Sequence, residues 1–335
     1  MKKKIFVISS SILGLILFVG VLKLVGLNTL WSFFQRIQPR FLGLYILVSI
    51  MIFVGYTYRW QRILHSHDQK IDFFRLFMYK TAGYGVSYLT PSAKLGGEPL
   101  RAYLLCKHKI PFKDSFSSVV LDKAVELTAN GLFTIVGVLY ILLYLAIPES
   151  ARTILYFVIA FWIVFMMVFY VRSLNGRGLI NPLINFLGLK RIKAIRKHQD
   201  TLLKGEKRIH EFFKHSKKEF FIALSISLLL WIGMLLEFKV LFMVFGFNDV
   251  TLVQLFLVTM VVGTSYIIPV PAAIGVLEGG QEALFRFIQK TTGIGFLIGL
   301  ITRTRDCLWT LVGITYLYIR GFNFLKEDYK KNGLT

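Results

Sequence analysis

Two stretches of this sequence place residues able to bind a charged group beside flexible backbone. The first runs Thr90, Pro91, Ser92, Ala93, Lys94, Leu95, Gly96, Gly97, Glu98, Pro99, Leu100, Arg101. Pro91 disfavours helix in the residue before it, the glycine pair frees the backbone, and Pro99 suits the first turn of a new helix. A helix starting there points N–H groups into the break and attracts anions, with Lys94 and Arg101 adding positive charge. A lipid phosphate fits such a site. The plainer alternative is a cytoplasmic loop in which Glu98 pairs with Arg101 one turn on. The second stretch, Pro269 to Gly280, reads PVPAAIGVLEGG and has no basic residue until Arg286. Its Glu278, with Glu282 four residues on, either caps a helix dipole or handles a proton or cation.

A second group of charges lies inside apolar runs. Arg303, Arg305 and Asp306 fall about ten residues into the last run, close to mid-bilayer at about 1.5 Å per residue. Charges there are functional candidates unless paired. Asp122 and Glu126, on one helix face with Lys123 between them, sit in an earlier run, either at comparable depth or at the cytoplasmic surface. Pairing of Glu126 with Arg303 or Arg305 is the structural alternative to a substrate role. Glu98, Asp122, Glu126, Glu278 and Asp306 are the candidates for ion or proton coupling. No metal-ligand or catalytic constellation stands out: Cys106 and Cys307 are the two cysteines, and there is no P-loop, HExxH or GxSxG. No cofactor is implied.

The elements that must carry these groups are membrane helices. Hydrophobic residues make up 55% of the chain, charged residues 17%, and the mean hydropathy is +0.62. A soluble domain is more charged and less apolar. The net charge of +22 sits in short stretches between apolar runs, which reads as loops facing anionic headgroups and argues against a nucleic-acid partner. Runs long enough for a bilayer crossing of about 20 residues lie at 5–25, 41–58, 115–147, 153–171, 220–245 and 293–319. The first follows Lys2 to Lys4 without a small-residue cleavage site and reads as a retained span. Segments 71–90 and 251–268 break at prolines and glycines and read as re-entrant. With both turned back, the basic loops gather on the cytoplasmic side with both termini, leaving Arg36, Arg40, Arg152, Arg286 and Lys290 outside.

The broken segments resemble each other. SYLTP, from Ser87 to Pro91, and SYIIP, from Ser265 to Pro269, lie 178 residues apart, and the same offset takes 41 near the start of the span at 220 and 115 to that at 293. The expected architecture is all-α and polytopic: one membrane domain of about six spans and two re-entrant segments. It comprises an inverted repeat at 41–147 and 220–319, joined through a basic cytoplasmic loop at 172–219. Interrupted segments at matching positions of opposed repeats point to a transporter binding site. The loop from Leu189 to Lys218, with Leu202, Leu203, Ile209, Phe212 and Phe213 among basic residues, reads as amphipathic helix lying on anionic lipid.

The string YLTPSAKLGGEPLRAYLL and the later PVPAAIGVLEGG resemble the two signature regions of the lysylphosphatidylglycerol synthase transmembrane-region family, whose members are described as flippase-like membrane domains. Gly96, Gly97, Glu98 and Arg101 match the first motif; Pro271, Gly275 and Glu278 match the second. Ala272 and Ala273 stand where relatives often have a glycine pair. The resemblance implies movement of an anionic, aminoacylated or polyprenyl-phosphate-linked lipid between leaflets, without the soluble aminoacyl-transferase domain of the best-known relatives. The expectation is therefore a flippase-like transporter of the cell membrane rather than an enzyme. Lys94, Arg101, Arg303 and Arg305 would hold a phosphate-bearing headgroup. Other classes remain open: an integral membrane transferase using Glu98, Glu126 or Glu278 as base, or an accessory subunit docking a lipid-modifying enzyme. Anionic lipids are the expected partners, and a second copy of the chain is allowed.

Overall fold

The computed structural model describes residues 2–91, 95–144, 148–178, 199–268, 270–288 and 293–331. Among them every regular element is helical: α1 Lys2–Val25, α2 Leu27–Phe34, α3 Pro39–His65, α4 Phe73–Leu89, α5 Glu98–Lys107, α6 Phe112–Tyr144, α7 Glu149–Leu174, α8 Gln199–His215, α9 Lys217–Val244, α10 Leu252–Ser265, a 3-10 turn Pro271–Ala273, α11 Val276–Phe287 and α12 Ile294–Lys331.

Four of these helices, α3, α6, α7 and α9, are long and apolar enough to cross a membrane, and α1 with α2, bent by 76° at Gly26, makes a fifth candidate. α7 shows why lipid must be the solvent. Phe157, Phe161, Ile163, Val164 and Met167 all stand exposed on it, an apolar surface that water would not tolerate. α12 is 38 residues long, but Arg303, Arg305 and Asp306 interrupt its apolar part. It is therefore not a span by composition alone. The two broken segments form α4 and α10, of 17 and 14 residues, which reach about 26 Å and 21 Å and fall short of a bilayer core of about 30 Å. α10 begins at Thr251, whose side chain accepts from Gln254 N–H while the Gln254 side chain accepts from Thr251 N–H. That reciprocal cap fixes where the helix starts.

A sequence of long helix, short helix, break, short helix, long helix occurs twice. α3 and α9 begin 178 residues apart, at Pro39 and Lys217, and α5 and α11 also begin 178 apart, at Glu98 and Val276.

The chain forms two compact units. One comprises Met1–Ile50, Phe74–Arg101 and Leu235–Thr335; the other comprises Met51–Phe73 and Ala102–Met234. In the first, Tyr45, Phe238, Phe242, Leu277, Leu297 and Ile298 are core residues. α11 lies against α12 because Gly299 allows it: a Cβ there would come within 3.0 Å of Glu278 Cα. In the second unit the core gathers Ile63, Leu121, Val125, Ile209, Phe212 and Phe213. This corrects one expectation. The apolar stripe of α8 is not laid on lipid: Ile209, Phe212 and Phe213 are buried and packed with residues of α3, α6 and α9. Burying about 150–250 Å² per aromatic ring against protein satisfies the same amphipathic pattern. Leu203 stays exposed, and residues 189–198 lie outside what is described.

Candidate functional site

At the first break, Glu98 opens α5 with Pro99 behind it, as the proline pattern requires. Gly97 N–H donates to Ser87 Oγ at 2.8 Å, and a Cβ at Gly97 would lie on the Gly83 carbonyl oxygen. No residue but glycine fits there without moving α4. Gly96 occupies the turn just before it. Arg101, one turn into α5, is buried and donates through Nη1 to Glu98 Oε2 at 2.6 Å. Its stem lies where a side chain on Gly83 would be. Lys94 lies outside the described residues.

At the second break, Pro271 opens a tight turn in which Ala272 has φ 53° and Ala273 φ 49°. Both are in the left-handed region, unfavourable for a residue with a Cβ. Gly275, at φ 76°, then caps α11, and its N–H donates to Glu278 Oε2 at 3.0 Å. The same carboxylate takes Arg303 in a two-pronged pair, Nε to Oε1 and Nη2 to Oε2 at 2.8 Å. The remaining donors of Arg303 go to the Ala272 carbonyl at 2.8 Å, the Ala273 carbonyl at 3.2 Å and Tyr88 Oη at 3.4 Å. One guanidinium thus ties the strained turn to the helix that follows it. Glu282, four residues on, accepts from Gly293 N–H at 3.1 Å, Phe296 N–H at 3.3 Å and Arg286 Nε at 3.1 Å. It caps α12, the structural role expected of a carboxylate near a helix start.

Further along α12, Arg305 donates through Nη1 to Glu237 Oε2 at 2.6 Å and through Nε and Nη2 to Asp306 Oδ1 at 2.9 and 2.8 Å. Tyr266 Oη donates to Asp306 Oδ2. Tyr45 and Tyr84 stand close enough to these groups to interact with Arg305 and Asp306.

The other charged cluster lies in the second unit. Arg59 on α3 donates to Asp122 Oδ1 at 2.7 Å, to Glu126 Oε2 at 3.0 Å and to Ser227 Oγ at 3.1 Å, and Lys123 Nζ reaches Glu126 Oε1 at 2.6 Å. Glu126 therefore pairs with Arg59 and Lys123, whereas the carboxylates on Arg303 and Arg305 are Glu278, Glu237 and Asp306. The pairing of Glu126 with Arg303 or Arg305, the structural alternative to a substrate role, does not occur, because α12's arginines find acids within their own unit.

A family profile described as the lysylphosphatidylglycerol synthase TM region matches residues 6–313. The chain belongs to this family. Among similar proteins, a UPF0104 membrane protein of Methanothermobacter thermautotrophicus is 22% identical over 306 residues, 87% of this chain and 88% of that one. A UPF0104 membrane protein of Pyrococcus horikoshii is 21% identical over 327 residues, 90% and 92% of the two chains. A UPF0104 membrane protein of Methanocaldococcus jannaschii is 29% identical over 136 residues, 39% and 40% of the two chains.

Both motifs that carried the resemblance to the lysylphosphatidylglycerol synthase TM region lie at helix starts: Glu98 opens α5, and Gly275 caps α11 with Glu278 in its first turn. Three participants escaped the sequence analysis. Glu237 had a signal, being a lone acid inside an apolar run. Arg59 had little, since at the end of its run it reads as an ordinary juxtamembrane charge. Tyr45 had none, because a tyrosine in a span is more often packing.

Proposed function

We propose that this chain is a flippase-like transporter that moves a phosphate-bearing lipid, whether anionic, aminoacylated or polyprenyl-phosphate-linked, between leaflets. The observation that carries the reading is the repeated break. Two helices too short to cross, α4 and α10, each stop at a glycine-bearing turn whose following helix starts with a carboxylate held by an arginine, and those second helices begin 178 residues apart. In transporters built from opposed repeats, such interrupted helices line the substrate path. Two contacts favour the repeat, because corresponding residues meet only near an axis relating the copies. Tyr56 Oη lies 3.6 Å from Met234 Sδ across a separation of 178, and the Tyr88 and Tyr266 rings, 178 apart in sequence, lie 6.3 Å apart.

On this reading the chain crosses about six times with α12 as the last span, the repeats are inverted, and both termini are cytoplasmic. The charged span α12 is tolerable because its arginines are paired inside the protein. Lys94, Arg101, Arg303 and Arg305 bind the headgroup phosphate, the three arginines by exchanging an internal carboxylate for it, a trade between charge-assisted hydrogen bonds of similar strength. Reconstitution with a fluorescent phosphatidylglycerol tests this. Wild type should move it between leaflets, Arg101→Lys partially, and Arg101→Ala least, because lysine keeps the charge but loses the planar fork. Arg101→Ala moving the probe at the wild-type rate would refute the phosphate role. The orientation is tested by single cysteines in a chain lacking Cys106 and Cys307: one near Lys193 should be shielded from an impermeant reagent outside, and one at Asn248 should react.

A further inference from the structure

The elbow between α1 and α2 encloses a groove of about 530 Å³, a size within the range of small-ligand sites, about 300–1,000 Å³. Gly26 makes the elbow, at φ 82°, a conformation that glycine adopts without a Cβ clash. The floor of the groove is apolar: Leu30 and Phe296 are buried, with Leu22 and Leu300 beside them. The rim is apolar and open, with Leu27 71% and Trp31 66% exposed, and Asn28 adds an amide there. Water disfavours such a lining, whereas lipid does not. As a span, α1 has 24 residues and reaches about 36 Å, more than a hydrocarbon core of about 30 Å. The elbow therefore lies at the membrane face opposite Lys2 to Lys4. There α2, bent 76° from α1, holds Trp31 at the depth that suits an indole, apolar in its body and polar at its N–H.

The residues next to this lining are cations. Lys23 follows Leu22, Arg36 comes two residues after Phe34, and Arg40 stands at the start of α3; all three are exposed. The chain has no Asp or Glu before Asp68. Among the described residues Lys23 and Arg36 make no ion pair, and Arg40 donates to Gln38 Oε1 at 3.2 Å and lies over the Phe41 ring. We propose that the α1–α2 elbow binds a phospholipid with an anionic headgroup, one acyl chain lying in the groove and the phosphate meeting Arg36 and Arg40. Charge complementarity selects the headgroup, because a zwitterionic lipid brings an ammonium that opposes these cations. The apolar lining selects a lipid over a free phosphate, which exposed arginines hold weakly. A second copy of the chain fits less well, since a symmetric contact sets the same cations against each other. Lys94, Arg101, Arg303 and Arg305, offered above for the transported headgroup, do not line this groove, so the site goes beyond the transport reading and does not depend on it.

Tryptophan quenching by phospholipids brominated on their acyl chains tests the site on the full chain in vesicles. The Trp31 signal is the difference between wild type and Trp31→Phe. Brominated phosphatidylglycerol titrated into plain phosphatidylcholine should quench it at low mole fraction, with a preference over brominated phosphatidylcholine of roughly fivefold for each cation engaged. Arg36→Gln and Arg40→Gln should each lower that preference by about fivefold. Equal quenching by the two lipids would make the groove ordinary bilayer contact and overturn the site. Protection of Trp31 from both lipids would overturn it as well, and cross-linking through Leu27→Cys would then show a second copy in the groove. Should Trp31→Phe not accumulate, native mass spectrometry in mild detergent serves. Wild type should retain one more phosphatidylglycerol than the Arg36→Gln, Arg40→Gln double variant, and equal retention overturns the assignment. Neither readout requires lipid movement, so a chain that moves no lipid can still show the site.

Discussion

Glu237 lies 178 positions after Arg59, and Arg305 lies 178 after Leu127, the neighbour of Glu126. The two buried ion clusters thus sit on corresponding helices with their charges exchanged. In the first, α3 supplies Arg59, and α6 supplies both acids and Lys123; in the second, α9 supplies Glu237, and α12 supplies Arg305 and Asp306. Arg59 and Lys123 meet Asp122 and Glu126, two charges against two, and Arg59's third contact goes to Ser227. Arg305 meets Glu237 and Asp306, and Tyr266 donates to Asp306. The same offset thus carries an arginine whose acids come from one neighbouring helix, α6, in the first case, and an arginine whose acids come from two helices, α9 and α12, in the second. The first arrangement ties α3 to α6; the second ties α12 to α9 and, through Tyr266, to the end of α10.

The sharpest way to break this comparison is to remove the arginine of the first cluster. Arg59→Gln leaves Asp122, fully buried, without its guanidinium, which should cost about 3–5 kcal/mol and appear as poor accumulation and a large fall in Tm. Glu237→Gln instead keeps an acceptor for Arg305 Nη1 and leaves Asp306 as its carboxylate, and should cost less, about 1 kcal/mol. Equal losses in the two variants would erase the distinction. Glu278→Gln keeps an acceptor for Arg303 but removes the charge, and a loss of about 1.5–3 kcal/mol in the same assay would place that pair with these ties. A smaller effect is expected at the turn: Ala272→Gly and Ala273→Gly should each raise stability by about 1 kcal/mol, since glycine adopts positive φ without a Cβ clash.

The smallest effect concerns acid. His67, beyond the end of α3, is buried beside Ser117 Oγ at 3.2 Å. Burial holds its imidazole below the ordinary histidine range, opposed by Asp114 and assisted by Arg208. The folded state therefore prefers the neutral ring. Above about pH 6.5 both folded and unfolded chains carry it neutral, and below that the unfolded chain takes the proton more readily, so stability falls as pH falls. Thermal unfolding between about pH 7 and 5.5 should show this decline, and His67→Asn should flatten it. A decline unchanged in His67→Asn would assign acid sensitivity in this window to another group.

The helices were legible in the sequence because long apolar runs in a basic chain admit few other readings, and the breaks were legible because proline and glycine act locally. The Ser-Tyr pairs at 87–88 and 265–266 gave the register that the helix starts at Pro39, Lys217, Glu98 and Val276 repeat. Partner choice was not legible. Whether Glu126 takes Arg59 or Arg303 depends on which helices face each other, and nothing in the spacing of one helix encodes its neighbour. The stripe of α8 misled for a related reason: lipid and protein both reward burial of Ile209, Phe212 and Phe213, so the pattern fixes an apolar face without naming what covers it.

The turn at Ala272 and Ala273 acts as a spring. Each alanine held at positive φ stores roughly 1–2 kcal/mol, and Arg303, anchored on Glu278, is the catch that keeps it wound by holding both carbonyls. Releasing that catch forfeits an ion pair but lets the backbone relax, so the stored strain offsets part of the cost of opening. Glycine at these positions would unwind the spring in advance, leaving a turn that is more stable at rest and a pair that is harder to open.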